Sequence, residues 1–558
     1  MRTLAGVGVS PGTATGPVVT FVPVTITEPP AEPAPADPAA EAARVREAIT
    51  SVAQDLERRA GSATGDSADV LQATAMIAAD PGLSEMVDGM VAQGTPGDRA
   101  VWEAMNGFRE LLAASGGYLA ERVADLDDVR DRIIATLHGE PMPGIPAPHY
   151  PFVLVARDLA PADTATLAPG QVLALVTEQG GPTSHTAILA KALGIPAVVA
   201  CPGALELADG TNVIVDGAKG QVTVDPDDEA TREAKRLAAL RAALPTTIAG
   251  KAATTDGYEI PLYANIGDAA GMAGAMTVGA GGVGLFRTEF LYLDRAVEPT
   301  REEQVRAYRA VFDQAGGRRI VVRTLDAGAD KPLAFLDLGE EPNPALGVRG
   351  FRTAKVRPDI LENQLAAIAE AADGADAEVW VMAPMVATIE EAMDFAGRAH
   401  GHGLENAGIM VEVPAIALTA RHVMGLVDFV SIGTNDLGQY AMAADRMSGP
   451  LAPLLSPWQP AMLELVRMTA EAGIDQETPV GVCGEAAGDP ALAVVLMGLG
   501  VTSLSMAPRS LPEVAEVIAS VSLDHARLLA AKAVAAPTAT VGRHVVRAGI
   551  PRLAELGL

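Results

Sequence analysis

GIMVEVPAIALTARHVMGLVDFVSIGTNDL, residues 408–437, decides the fold of the larger part of this chain. Two short apolar runs, IMV and FVSI, lead into carboxylates, Glu412 and Asp436, and a helix-compatible stretch separates them. The same unit recurs on both sides. PLYANIG, GVGLFRTEF, RIVVRTLDAG and VWVMAPMV precede it, and PVGVCGEAAG and SLSMAP follow. Eight such strands, most of them separated by helical stretches and several ending in charged or reactive residues, are the layout of a (β/α)8 TIM-like barrel with its site at the C-terminal face. An open doubly wound sheet is the rival arrangement. Eight strands match closure, and the polar residues stand at the same end of each, so a barrel is expected over residues 250–558.

Toward the N-terminus, PDDEATREAKRLAALRAAL opens with proline and acids and lacks internal Gly or Pro, which predicts a linker helix within 227–249. FVLVA, QVLALVT, PAVVA, NVIVD and QVTVD read as strands, as does the alternating GVGVSPGTATGPVVTFVPV near residue 1. Between these strand groups, EPPAEPAPADPAAEA carries prolines at 29, 30, 33, 35 and 38, which exclude a helix before Ala39. From Glu41 to Gly139 the pattern is alanine-rich and helical, with breaks that suggest about four helices. The simplest organisation is a multidomain α/β chain. One β/α domain comprises 1–22 and 140–226, a helical subdomain at 23–139 is inserted into it, and the barrel follows.

The 558 residues exceed one domain at about 150 residues each. With 49% hydrophobic and 20% charged residues the chain can bury large cores. Acidic residues outnumber basic ones 70 to 41, for a net charge of -29, which disfavours nucleic acid and anionic lipid and favours a basic protein partner. Anionic substrates are compatible with that charge only where arginines converge. Cys201 and Cys483 are the only cysteines, without zinc-like clustering, as expected in a reducing compartment. No signal-like segment and no apolar run of about 20 residues is present, so a soluble cytoplasmic protein is expected.

In GGPTSHTAILAKALGIPAVV, residues 180–199, a Gly-Gly-Pro turn presents Thr183, Ser184, His185 and Thr186 at the start of an amphipathic run. A histidine at a helix N-terminus is placed to carry a phosphoryl group, because backbone N–H groups and the dipole favour the anion and the neutral imidazole. A capping turn whose histidine merely packs is the alternative. In the barrel, Arg287 and Arg323 end successive strands and Arg349 lies in the following loop, so all three could meet one anion, or serve in salt bridges. Glu412 and Asp436, on adjacent strands, could hold Mg²⁺ together with substrate oxygens and water, or form a structural pair. Cys483 ends a strand at the same face, where a buried thiol is ordinarily inert. Thr164 in PADTATL reads as a helix cap. The remaining histidines, including His400 and His402, read as surface residues, those two in a Gly-rich loop.

The 180–199 segment resembles the phosphohistidine motif of the phosphoenolpyruvate-utilising enzymes. DLAPADTATL, VGLFRTEFLYLDR, VVRTLDAGADKPL, NPALGVRGFR, IMVEVPA, SIGTNDLGQYAMAADR and VCGEAAGDP resemble the enzyme I family of the bacterial sugar phosphotransferase system, in family order over nearly the whole chain. The resemblance implies that His185 takes the phosphoryl group of phosphoenolpyruvate and hands it to a histidine of the carrier HPr. It implies that Arg287 and Arg323 bind the substrate phosphate, with Arg349 and Lys331 as further candidates. Asn435 and Arg446 would hold the substrate's carboxylate and phosphate, Glu412 and Asp436 would bind Mg²⁺, and Cys483 would protonate C3 of the enolate with Glu485 in its acid-base network. Thr164 would orient His185, the histidine domain would swivel on its linker, and the barrel would dimerise.

Two departures stand out. Pro182 occupies a position where many relatives have a basic residue, and the helical region resembles the family only loosely. Rival readings are an ATP-using dikinase or synthase, for which the chain lacks an ATP domain, a degenerate relay protein, and a nitrogen-regulatory paralogue.

Overall fold

A computed structural model gives the structure and describes the chain except residues 1, 22–26, 63–73, 116–122, 141–144, 146–147, 160–169, 181–184, 294, 296, 328–332, 334, 337, 340 and 447–448. It divides into two units, Met1–Ala238 and Ala239–Leu558. Among the described residues no helix is long and apolar enough to cross a membrane.

The first unit holds an eight-stranded sheet of β1 (Arg2–Ala5), β2 (Val7–Ser10), β3 (Thr13–Phe21), β4 (Phe152–Ala156), β5 (Val172–Thr177), β6 (Ala197–Val199), β7 (Asn212–Asp216) and β8 (Gln221–Val224), in the order β1-β8-β7-β3-β4-β5-β6-β2. β3 to β6 run parallel, and β1, β8, β7 and β2 attach antiparallel. Every sequence-expected strand is present. Between β3 and β4 the described residues include the helices Pro38–Ser62, Pro81–Ala92, Gly97–Ser115 and Val123–His138. In the first of them Val45, Ile49, Val52 and Leu56 recur at helical spacing and are buried against the others. That helix begins at Pro38 rather than after it. A proline's missing N–H costs nothing in the first turn, and Asp37 accepts from the Ala39 and Ala40 amides at 3.0 and 3.1 Å.

The second unit begins within the helix Asp228–Ala242, the expected linker. A short β9 (Lys251–Ala253), not anticipated from the sequence, pairs antiparallel with β10 (Glu259–Ile266). Then follow β11 (Gly282–Arg287), β12 (Arg319–Arg323), β13 (Glu378–Ala383), β14 (Asn406–Val411), β15 (Phe429–Ile432), β16 (Val480–Val482) and β17 (Ser503–Met506). β10 to β17 are parallel in sequence order, and β10 pairs with both β11 and β17, so the sheet closes. This is the expected (β/α)8 barrel and not the open sheet. Helices such as Arg301–Phe312, Pro358–Ala372 and Ile389–Gly401 pack their apolar stripes on the outside of the strands, making one core with Val322, Val381 and Ile409. Inside, Leu285, Val321, Trp380, Met382, Met410, Phe429 and Cys483 form a separate cluster. Period-two alternation sends Arg319, Val321 and Arg323 of β12 to this inner face, and the last of these reaches the C-terminal mouth.

Candidate active site

The mouth is built from strand ends. Arg323, the last residue of β12, is buried, and its guanidinium meets Glu289 Oε1 at 2.9 Å and Asp326 Oδ2 at 3.2 Å. Burial alone would lower its pKa, but Glu289, Asp326 and Glu412 outweigh that and hold it above the ordinary value. Its Nε is buried without a hydrogen-bond partner among the described residues. Arg287, ending the neighbouring β11, is exposed and lies with its guanidinium 5.5 Å from the centre of the Phe290 ring. Glu289, Arg323, Glu485 and Cys483 are among the groups whose charge acts on it.

Arg349 donates to Asp326 at 3.1 Å, Asp436 at 3.0 Å and Tyr440 Oη at 3.3 Å. Its fork meets two carboxylates, as that of Arg323 meets Glu289 and Asp326, and this is the salt-bridge alternative that the sequence left open for it. Asp326 thus bridges Arg323 and Arg349, and Asp436 stands between Arg349 and Arg446, the latter at 3.6 Å.

Glu412 follows β14 and is buried, accepting from the Met385 amide at 2.6 Å. Met385 has φ of 60°, a left-handed backbone that a methionine adopts only under constraint, and this aims its N–H at the carboxylate. Burial first, then the charges of Asp436 and Asp326, push Glu412 up to about 8. Gly433, after β15, makes the pairing possible, because a Cβ there would lie 2.9 Å from Glu412 Oε2. Asn435 accepts from the Glu485 amide at 3.4 Å, which ties the β15 and β16 loops together. Among the described residues no three His, Cys, Asp or Glu side chains group as a metal site. Glu412 and Asp436 are nevertheless two hard oxygen donors whose mutual repulsion a hard divalent cation would relieve, so as a partial ligand set they fit one.

Cys483 follows β16 on the inner face. Its thiol is buried, 3.7 Å from the Ile432 carbonyl oxygen, and burial pushes it up to about 11 although the Ser431 hydroxyl and Arg323 act in the opposite sense. It is a thiol that keeps its proton near neutrality. Gly484 lets the chain turn against Thr434, whose Oγ1 would be 1.9 Å from an added Cβ.

In the first unit, the helix His185–Leu193 is described from His185 onward, and residues 181–184 before it lie outside the described residues. The adjacent Thr186 is buried and donates to Asp158 Oδ1 at 3.2 Å, fixing the first turn to the end of β4. Thr164 and Lys331 lie outside the described residues. His400 is in a helix and His402 caps it, not in a loop. Each pairs with its own carboxylate, Asp428 at 3.1 Å and Glu362 at 2.8 Å. Sequence reasoning passed over Glu289, Asp326, Tyr440 and Ser431. The two acids stood two and three residues beyond Arg287 and Arg323, a hint of strand-end pairing, whereas the hydroxyls carried no signal.

A closed barrel with paired acids and arginines at its C-terminal mouth, joined to a β/α unit with a histidine-led helix, defines a phosphoryl-handling class. The family models agree: PEP-utilising enzyme, N-terminal, matches residues 5–122, the mobile domain 149–220, and the PEP-binding domain 242–523. A phosphoenolpyruvate-protein phosphotransferase of Streptomyces coelicolor is 52% identical over 98% of this chain and 99% of its own, and one of Haloferax volcanii is 41% identical over 96% and 97%. An NMR solution structure of Enzyme I (nEIt) aligns with 42% of this chain and 98% of that one, at 33% identity and a TM-score of 0.38. The chain belongs to the phosphoenolpyruvate-protein phosphotransferase family of PEP-utilising enzymes, and is a transferase.

Proposed function

We propose that the chain transfers the phosphoryl group of phosphoenolpyruvate to His185, releases pyruvate, and passes the phosphoryl group to a histidine of the carrier protein HPr, as the first step of sugar uptake by a phosphotransferase system. What supports this reading is the barrel mouth, where Arg287 and Arg323 end β11 and β12 and Cys483, a thiol that keeps its proton near neutrality, follows β16. Phosphoryl transfer needs alignment and charge neutralisation more than covalent help, and arginines supply both.

In this reading Arg287 and Arg323 hold the phosphate, and Asn435 and Arg446 the carboxylate and phosphate of the substrate. Glu412 and Asp436 hold Mg²⁺, which when bound neutralises charge on the substrate oxygens. Arg349 keeps Asp326 and Asp436 in place. An imidazole nitrogen of His185 takes the phosphoryl group as its bond to the enol oxygen breaks. The enolate left behind takes the Cys483 proton on C3 and becomes pyruvate, which favours the forward direction. Glu485, Lys331 and Thr164 support these groups, and the helix Asp228–Ala242 is the hinge on which the histidine unit swivels. A homodimer formed through the barrel and a cytoplasmic location belong to the same proposal.

The test is incubation with phosphoenolpyruvate and Mg²⁺ without ATP, followed by intact-mass and peptide analysis under alkaline conditions. One phosphate on His185 with release of pyruvate is expected, transferable to added HPr, and none on His185→Ala. Labelling only with ATP would make the chain a dikinase, and none under either condition a degenerate relay protein.

A further inference from the structure

TIM-barrel interiors are ordinarily filled by bulky branched side chains. Below Cys483 this one also carries small residues on three neighbouring strands. Ser431 of β15, Gly481 of β16 and Ser503 of β17 face each other in register across three adjacent strands, and Ser505 stands two residues further along β17. A Cβ at Gly481 would lie 2.8 Å from Ser503 Oγ and 3.6 Å from Ser431 Oγ, so both hydroxyls flank the glycine. A cavity of about 30 Å³ lies there, walled by Ser431, Ser503 and Ser505 together with apolar side chains such as Trp380 and Phe429. That volume holds a water molecule, which needs roughly 10–15 Å³ and polar partners. The cavity extends to Arg319 and Pro479, at the starts of β12 and β16, and is therefore directed to the barrel end opposite the active site. At its upper end Ser431 pairs with Gly481, two residues before Cys483 on the neighbouring strand, and its hydroxyl acts on the thiol against the effect of burial. The Cys483 carbonyl is held by Asn265 at 2.9 Å, which in turn accepts from Ser505 at 2.6 Å.

We propose that Ser431 is the positioning and relay residue through which Cys483 regains its proton, by way of water in the adjoining cavity, which runs toward the N-terminal end of the barrel. The inference rests on the reading of Cys483 as the enolate's proton donor. After the Sγ–H proton has moved to C3, the Ser431 O–H proton moves to the thiolate. Its oxygen takes a proton from cavity water, and that water is made good from bulk solvent, so one solvent proton is consumed per pyruvate. Resetting from below leaves the substrate mouth free of bulk water while the thiol is recharged.

The test reads where the first proton comes from. Full-length enzyme in H₂O is mixed rapidly with phosphoenolpyruvate and Mg²⁺ in excess D₂O, quenched within one turnover, and the pyruvate methyl is analysed by mass. With the relay, the wild-type thiol exchanges before use and the pyruvate is mostly CH₂D. Ser431→Ala should shield the thiol and lower first-turnover deuterium at least fivefold, and Ser431→Thr, which keeps the hydroxyl, should restore it. Deuterium in Ser431→Ala equal to wild type, or mostly CH₃ pyruvate from the wild type itself, overturns the relay. A Cys483→Ala enzyme making pyruvate at the wild-type rate would instead remove the reading on which the relay rests.

Discussion

Cys201 and Cys483 are both buried, and in both the thiol is pushed up to about 11, but the two regions around them differ in kind. Cys201, just after β6, packs among Val18, Val153, Val155, Val176 and Val198, and its amide donates to the Thr177 carbonyl at 2.9 Å. Burial raises this thiol, with Glu178 adding to the effect. Cys483 is raised by burial too, but Ser431 and Arg323 oppose the rise, and the acids and arginines of the barrel mouth surround it. Burial therefore sets the protonation state of both thiols. Use depends on what else reaches the sulfur, and of the two thiols it is Cys483 on which Arg323 and the Ser431 hydroxyl act.

The sharpest way to break this comparison is to remove each sulfur. Cys483→Ala should slow pyruvate formation by about 10²–10⁴-fold, the usual worth of a positioned proton donor, in a pyruvate-coupled assay. An undiminished rate would erase the functional difference between the two thiols. Next in size is the frame that holds Arg323 beside Cys483. Asp326→Asn deprives two buried arginines of a shared carboxylate, and should cost roughly 3 kcal/mol in urea unfolding and raise KM for phosphoenolpyruvate about tenfold. If KM stays put, Asp326 is a stability residue alone.

The two thiols should act alike in a third experiment. Each has a folded-state pKa above its ordinary 9.0, so from pH 9 toward about 11 the unfolded chain binds fewer of these protons than the folded one, and stability falls as pH rises. A chain with both cysteines changed to alanine should decline less over that range in unfolding measurements. A decline as steep as wild type would assign it to other groups. The smallest effect belongs to Cys201→Ala, which should leave the rate within about twofold and cost on the order of 1 kcal/mol for a small cavity.

Much of the architecture could be read from local pattern. All eight barrel strands, the five later strands of the first unit and the helical block announced themselves through apolar runs, turn residues and 3.6 spacing, because those signals are written in neighbouring residues. β9 escaped because three residues, one of them charged, carry no periodicity. In the site, the arginines, the acids, Cys483 and His185 were legible from their positions at strand and helix ends. The commitment of Arg349 to Asp326 and Asp436 was not, since its partners lie 23 and 87 residues away.

What the sequence alone determined is the order of elements and which reactive side chains stand at their ends, since β-strand alternation and helix capping are short-range rules. Tertiary structure alone decided which of those side chains are free and which are spent on one another. Closing the barrel brought distant strand ends within hydrogen-bond reach, left Arg323 Nε without a partner among the described residues while filling the Arg349 fork, and set Ser431 beside a small cavity on the strand next to that of Cys483.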